Sequence, residues 1–312
     1  MDDGIDRRPG IYASVDIGSN SIRLYVGRFS AETLVPVHRA LHSVRLGAGL
    51  DTTGRLSSER IKAAAETVAD YMEQAARLGA RWTWVFATEA IRSALNGADA
   101  LQVMKSRAGQ DIQVLSGEEE ARLSYIGATR GLDANRDGAG DGLLVMDIGG
   151  GSTELGWAED GRFLSLSIPL GAVRLTERFG GESGSLEHMV AEALSQAVEG
   201  GGRSRLPSTR ESIGVGGTCT TLAAVDLGLR EYLPEKVHGH RMNLERVREL
   251  ARRLSNPEMV KDPVDGLHPD RADIIGAGAT LAYVLLERMG AGSMTASEED
   301  LMAGIIYDRL GS

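Results

Sequence analysis

The chain has 312 residues, enough for two domains of ordinary size. Its formal net charge of -10 argues against broad binding to nucleic acid or to an anionic membrane. Cys219 is the only cysteine, which excludes an internal disulfide and disfavours a thiolate metal site. The polar, acidic N-terminus lacks the apolar core of a secretory leader, and no apolar run approaches the ~18 residues of a membrane helix. The expectation is a cytoplasmic enzyme without nucleic-acid or membrane partners. An anionic substrate would have to be met locally, by backbone amides, a metal ion and a few arginines inside an acidic shell.

Residues 11–15 form an apolar strand leading into Asp16-Ile17-Gly18, and the first half reads as three strands followed by alternating helix and strand. Ile61, Ala65, Val68, Met72, Ala75 and Leu78 share one helical face over 58–78, and Gly79 suits the C-terminal cap. A strand over 82–87, a helix including 101–107, a strand over 112–115 and a helix over 118–130 follow. The stretch 133–142 is rich in Asp, Asn and Gly and reads as the linker. Its Asp133, Asn135, Asp137 and Gly138 match the start of a calcium loop, but the twelfth position is Leu144 instead of glutamate. A polar turn is the better reading.

The second half repeats the theme, with strands over 143–148, 154–158 and 162–168, a helix over 186–198 and a strand over 212–215. Helices are expected over 244–254, 272–289 and 298–310. The predicted fold is α/β, with two duplicated ribonuclease-H-like lobes around a cleft. The lobes would span 1–132 and 133–312, with the last helix free to pack back on the first lobe.

The repeat is clearest at two hairpins. Asp16-Ile17-Gly18-Ser19-Asn20-Ser21-Ile22-Arg23-Leu24 matches Asp147-Ile148-Gly149-Gly150-Gly151-Ser152-Thr153-Glu154-Leu155 in Asp, Ile, Gly, Ser and Leu. An Asp at a strand end before a glycine turn sets a carboxylate beside amides and hydroxyls that can ring phosphate oxygens. Asp147 could hold magnesium there, directly or through water. Two structural β-turns with surface aspartates are the bland alternative. A third glycine segment, 214–218, reads either as a phosphate loop using Gly216, Gly217 and Thr218 or as a tight strand-to-helix turn. His238 and His240 lie two apart in a polar loop, where a solvated pair is favoured over a metal site.

Taken with these hairpins, Ala87-Thr88-Glu89-Ala90-Ile91-Arg92 and Ser116-Gly117-Glu118-Glu119-Glu120-Ala121-Arg122 resemble the exopolyphosphatase/guanosine pentaphosphate phosphohydrolase family. That family belongs to the actin, sugar kinase and heat-shock ATPase superfamily. The segments 167–172 and 271–275 resemble it too, and the likeness runs from Ile11 to the end. It implies Glu120 as general base on the attacking water, with Glu119 as second choice; glutamates at a helix start also stabilise its dipole.

The resemblance further implies magnesium held by Asp147 and Glu154, with Asp16 as the matching candidate in the first hairpin. Phosphate would be bound by Gly18, Ser19, Asn20, Ser21 and Arg23 in the first lobe, and by Gly149, Gly150, Gly151, Ser152 and Thr153 in the second. Arg92 and Arg271 are further phosphate candidates, since a guanidinium fork can hold two oxygens. Leu301-Met302-Ala303-Gly304 stands where the family has Leu-Arg-Glu-Gly, which weakens any contact from the last helix. The chain ends where longer members continue, so shorter polyphosphates and lower processivity are expected. The substrate would be polyphosphate or a guanosine polyphosphate, and relatives suggest a homodimer. A kinase or ATPase of the superfamily, and a non-catalytic alarmone sensor, are the alternatives; the Glu-Glu-Ala-Arg segment counts against the first, and Glu120 with the Asp147/Glu154 pair against the second.

Overall fold

The computed structural model describes residues 9–132, 143–180, 185–200, 206–256, 258 and 263–311. The first elements are β1 (Gly10–Ile17), β2 (Ile22–Ser30), β3 (Thr33–His42), α1 (Leu50–Thr53), α2 (Ser58–Arg77), β4 (Thr83–Ala87), α3 (Glu89–Ser93), α4 (Gly97–Ala108), β5 (Gln113–Val114) and α5 (Gly117–Gly131). Then come β6 (Leu144–Ile148), β7 (Thr153–Glu159), β8 (Arg162–Ile168), α6 (Ala172–Phe179), α7 (Leu186–Gly200), β9 (Glu211–Val215) and α8 (Gly216–Asp226). The chain continues through α9 (Pro234–Val237), β10 (Arg241–Asn243), α10 (Leu244–Leu254), α11 (Ile275–Met289), β11 (Ser293–Ala296) and α12 (Leu301–Leu310). It divides into two compact units: the described residues up to Gly127 together with those from Leu301 onward, and Ala128–Asp300. The calcium-loop look-alike at 133–138 lies outside the described residues.

In the first unit the sheet order is β3-β2-β1-β4-β5, antiparallel through β3-β2-β1 and parallel from β1 to β5. Both faces of β1 are covered, so its sequence is almost continuously apolar. Ala13, Val15 and Ile17 pack with Ile61, Ala64, Ala65 and Val68 of α2. Each fully buried Val or Ile contributes on the order of 2 kcal/mol. The helix starts where the Ser57 side chain accepts from the Arg60 amide, and Gly79 beyond its end adopts φ 81°. Tyr12, on the other face, joins Phe86, Leu123, Leu301, Ile305 and Ile306. Asp16 alternates onto this second face.

The last helix belongs to the first unit and is tied to β1 and β3. Ser14 Oγ donates to the Met302 carbonyl at 2.9 Å, and Tyr307 Oη accepts from the Leu34 amide at 3.1 Å. A Cβ at Gly304 would lie 1.9 Å from the Leu123 carbonyl oxygen. The 301–304 segment is therefore a packing surface against α5, where only glycine allows the approach.

The second sheet has the order β10-β11-β9-β6-β7-β8. Read from the far edge, β8-β7-β6-β9-β11 repeats the first sheet's order and directions, with β10 added. The two units are thus duplicated ribonuclease-H-like α/β folds. Helix α11 is apolar on nearly every side and is buried accordingly.

Two helices begin later than the sequence suggests. The helix expected over 272–289 starts at Ile275, because His268 Nδ1 accepts from the Asp270 amide and Pro269 opens a separate 3-10 turn, Pro269–Arg271. The helix expected over 298–310 starts at Leu301, because Ser297 Oγ exchanges hydrogen bonds with Glu299 and holds the chain in a turn. Strands β10 and β11 are new; at three and four residues they are too short to show an alternation.

Candidate active site

The two hairpins are built alike. The Gly18 amide donates to the Ser21 carbonyl at 3.1 Å, and the Gly149 amide to the Ser152 carbonyl at 3.0 Å. The resulting registers place Asp16 opposite Arg23 and Asp147 opposite Glu154. In both, loop carbonyls that would repel an anion are turned onto the unit's own backbone. Ser19 and Asn20 oxygens accept from the amides of Gly47 and Arg45, each at 2.7 Å. Gly149 and Gly150 oxygens accept from Ala172 and Val173 at 3.0 and 2.9 Å. Arg174 Nη1 donates to the Gly151 oxygen at 2.7 Å. The 167–172 segment thus serves to brace the second loop, with Thr153 Oγ1 also donating to the Leu170 oxygen at 2.7 Å.

The equivalent positions carry opposite charge. Arg23 Nη2 and Nε donate to Asp16 Oδ2 at 2.6 and 3.0 Å, so the first hairpin neutralises its own carboxylate. In the second, Asp147 and Glu154 are both buried, at 7% and 3% exposure, directly opposite each other. Ser167 Oγ donates to Glu154 Oε1 at 2.8 Å. Like charges directly opposite across strands oppose each other, so this pair fits a hard divalent cation that takes one or two carboxylates and completes its shell with water and substrate oxygens. No described group of three or more His, Cys, Asp or Glu is arranged to hold a metal.

Segment 214–218 is a strand-to-helix turn: Gly216, Gly217 and Thr218 form the first turn of α8. Gly216 has φ 78°, and a Cβ there would lie 2.5 Å from Asp147 Oδ1. Glycine lets the carboxylate lie against the helix start. Gly216→Ala is expected to cost about 1–3 kcal/mol through backbone strain and to displace Asp147; thermal melting and phosphate release read the two effects separately. The Arg271 guanidinium lies over Gly217, where a Cβ would sit 2.0 Å from Nη2. The helix start, with Arg271 beside it, can receive an anion. Cys219 is fully buried one turn on, and burial, then Asp147, push its thiol far above the ordinary range. Burial and the raised thiol disfavour a nucleophilic role.

In the first unit, the glutamate run separates into different tasks. Glu119 Oε2 accepts from the Ser116 amide and hydroxyl at 2.8 and 2.9 Å, while Ser116 Oγ accepts from the Glu119 amide at 3.2 Å. This is a capping box for α5. Glu120 is buried, and its Oε1 accepts from Arg92 Nη1 at 2.5 Å. The same nitrogen donates to the Leu115 carbonyl, also at 2.5 Å. Arg92, read from sequence as a phosphate ligand, is in the structure the partner of Glu120. Asn20 Nδ2 is buried without a hydrogen-bond partner among the described residues.

The histidines are committed elsewhere. His238 Nε2 lies 3.0 Å from the Gly131 carbonyl, and Nδ1 accepts from the Glu298 amide at 3.1 Å. His240 Nε2 lies 2.6 Å from Asp226 Oδ2, and Arg246 Nε donates to Asp226 Oδ1. Burial raises the Asp226 pKa, but the hydrogen bonds from Arg246 and His240 outweigh it and hold the carboxyl below its ordinary value. Its contribution to stability is therefore full above the unfolded carboxylate range and is lost as pH falls through the lowered value. Asp226→Asn should melt earlier at neutral pH and show a shallower loss of stability in acid, measured by thermal denaturation across pH.

Comparison with known proteins gives the family. Residues 25–312 match the Ppx/GppA phosphatase family. The chain belongs to this family. Exopolyphosphatase 2 of Mycobacterium tuberculosis is 34% identical over 96% of this chain and 98% of its own length. A guanosine-5'-triphosphate,3'-diphosphate pyrophosphatase of Photobacterium profundum is 27% identical over 96% of this chain but 59% of its own. The crystal structure of the Aquifex aeolicus Ppx/GppA family member superposes with a TM-score of 0.78 at 27% identity, covering 96% of this chain and 98% of that one. No described helix of this phosphatase is long and apolar enough to cross a membrane.

Proposed function

We propose that this family member is an exopolyphosphatase, releasing terminal orthophosphate from inorganic polyphosphate by metal-assisted attack of water, with guanosine pentaphosphate as a second substrate. The observation that carries the reading is the buried, opposed Asp147 and Glu154 beside the braced glycine loop and the start of α8. The names of the Mycobacterium tuberculosis and Photobacterium profundum relatives support the two substrates. We place the reaction in the cytoplasm and carry the homodimer as part of the proposal, to be read by sedimentation.

Asp147 and Glu154 would hold magnesium, which when bound supplies positive charge to the terminal phosphate. Asp16 is withdrawn from the metal set, because Arg23 already neutralises it. The Gly150 and Gly151 amides, Ser152 and the first turn of α8 with Arg271 receive phosphate oxygens in the second unit, while the Gly149 amide and the Thr153 hydroxyl hold the loop's own shape. In the first unit Gly18, Ser19 and Ser21 shape the hairpin, and Asn20 Nδ2 offers a buried donor in want of an acceptor. Arg23 keeps Asp16 in place and stays a candidate for the substrate's phosphates through its charge. Glu120, positioned by Arg92, takes a proton from water as its oxygen bonds to the terminal phosphorus. The bridging P–O bond breaks, and the shortened chain leaves with the electron pair.

The test is phosphate release with magnesium from medium-chain polyphosphate, guanosine pentaphosphate and ATP. Release from the first two, with ATP slower, is expected. No release from any of them would overturn the reading in favour of a sensor, and transfer from ATP to an acceptor would make the protein a kinase.

A further inference from the structure

The second unit carries an aromatic side chain that the phosphate chemistry does not use. Tyr232 lies in the connection between α8 and α9 and is 46% exposed. That hydroxyl donates to Glu298 Oε1 and also meets the side chain of Thr220. Burial, and then the Glu298 carboxylate, push the phenol above its ordinary range. Thr220 sits one turn into α8, and its Oγ1 donates to the Gly216 oxygen at 3.1 Å. The phenol is thus anchored to the helix whose first turn faces the phosphate.

The Arg271 charge also acts on the phenol, while its guanidinium lies over Gly217. Glu298 is itself held, its amide donating to His238 Nδ1 at 3.1 Å. The ring is therefore pinned at its polar end and open to solvent on its body, beside an arginine and a helix start suited to phosphate. An aromatic held this way offers a flat apolar surface at little further cost in side-chain entropy. Inorganic polyphosphate has nothing to place on it. A nucleoside polyphosphate does.

We propose that Tyr232, held by Glu298 and Thr220, is the surface on which the base of a guanosine polyphosphate stacks while Arg271 takes its phosphates, so that this residue separates nucleotide from inorganic substrates. The proposal rests on the hydrolase reading given above for its kinetic test, but not for its binding test. Base stacking on one aromatic ring implies about a tenfold effect on truncation.

The kinetic measurement is the ratio of kcat/KM for guanosine pentaphosphate to that for medium-chain polyphosphate. It should fall about tenfold in Tyr232→Ala and be largely kept in Tyr232→Phe, which retains the ring. The binding measurement is calorimetric titration, in chelator, of guanosine pentaphosphate and of inorganic tripolyphosphate into wild type and Tyr232→Ala. A weakening confined to the nucleotide supports the stacking surface even if no turnover is seen, in which case the hydrolase reading alone fails. Equal weakening of both ligands, or an unchanged ratio with unchanged nucleotide affinity, overturns the proposal. Loss in Tyr232→Phe as large as in Tyr232→Ala would also overturn it, by making the anchored hydroxyl rather than the ring responsible.

Discussion

Replacing Glu120 by Gln should lower phosphate release from polyphosphate by about 10²–10⁴-fold, the usual contribution of a positioned general base. The amide keeps an oxygen for Arg92 Nη1, which in the wild type donates to Glu120 Oε1 at 2.5 Å, so the fold and polyphosphate binding should survive. What is lost is the capacity to accept a proton from water. Glu119→Gln is the matched control. Its carboxylate accepts from the Ser116 amide and hydroxyl at the start of α5. Weakening that capping box should cost about 1 kcal/mol of stability and change kcat little. Stopped assays at saturating polyphosphate, with melting curves for each variant, separate the two effects. A collapse of kcat in Glu119→Gln, with Glu120→Gln active, would reverse the assignment.

Asp147→Asn or Glu154→Gln should lower kcat/KM by about three orders of magnitude, the several kcal/mol that a bound cation supplies at about 1.36 kcal/mol per decade. The more discriminating readout needs no turnover. Two buried carboxylates face each other across β6 and β7. In chelator, removing one charge should therefore raise stability, by about 1 kcal/mol on the scale of cross-strand pairs. Adding magnesium should raise the melting temperature of the wild type, since a ligand that binds only the native state stabilises it. That increment should vanish in either variant. An equal magnesium increment in wild type and both variants would remove these residues from the metal site. Asp16→Asn should behave differently, because it strips Arg23 of its partner at 2.6 Å and lowers stability with or without magnesium.

Much of this architecture is written locally. The repeated Asp-Ile-Gly hairpins announce the duplication, and the alternation of helix and strand fixes where the units have their sheets. Even the charge contrast can be counted from sequence. A loop closed by Gly18 and Ser21 sets Asp16 opposite Arg23, and one closed by Gly149 and Ser152 sets Asp147 opposite Glu154. The Ser116-to-Glu119 capping box is likewise a readable spacing, hidden here because three consecutive glutamates offer themselves.

Other features depend on contacts between distant segments. Arg92 reaches Glu120 across 28 positions, a pairing that neither motif states alone. Arg174 braces Gly151 from α6, a helix whose start looks like loop because Pro169 and Gly171 precede it. Strands β10 and β11 carry too few residues for any period to show. Tyr232 sits in an irregular connection, and only the positions of Glu298 and Thr220 reveal what holds it.

The central claim is that water attacks the terminal phosphorus, and oxygen labelling tests it most directly. Medium-chain polyphosphate hydrolysed by the wild-type protein with magnesium in ¹⁸O-enriched water should yield orthophosphate in which each molecule carries one labelled oxygen. Unlabelled orthophosphate, with the label on the shortened chain, would place the attack on the neighbouring phosphorus and contradict the account.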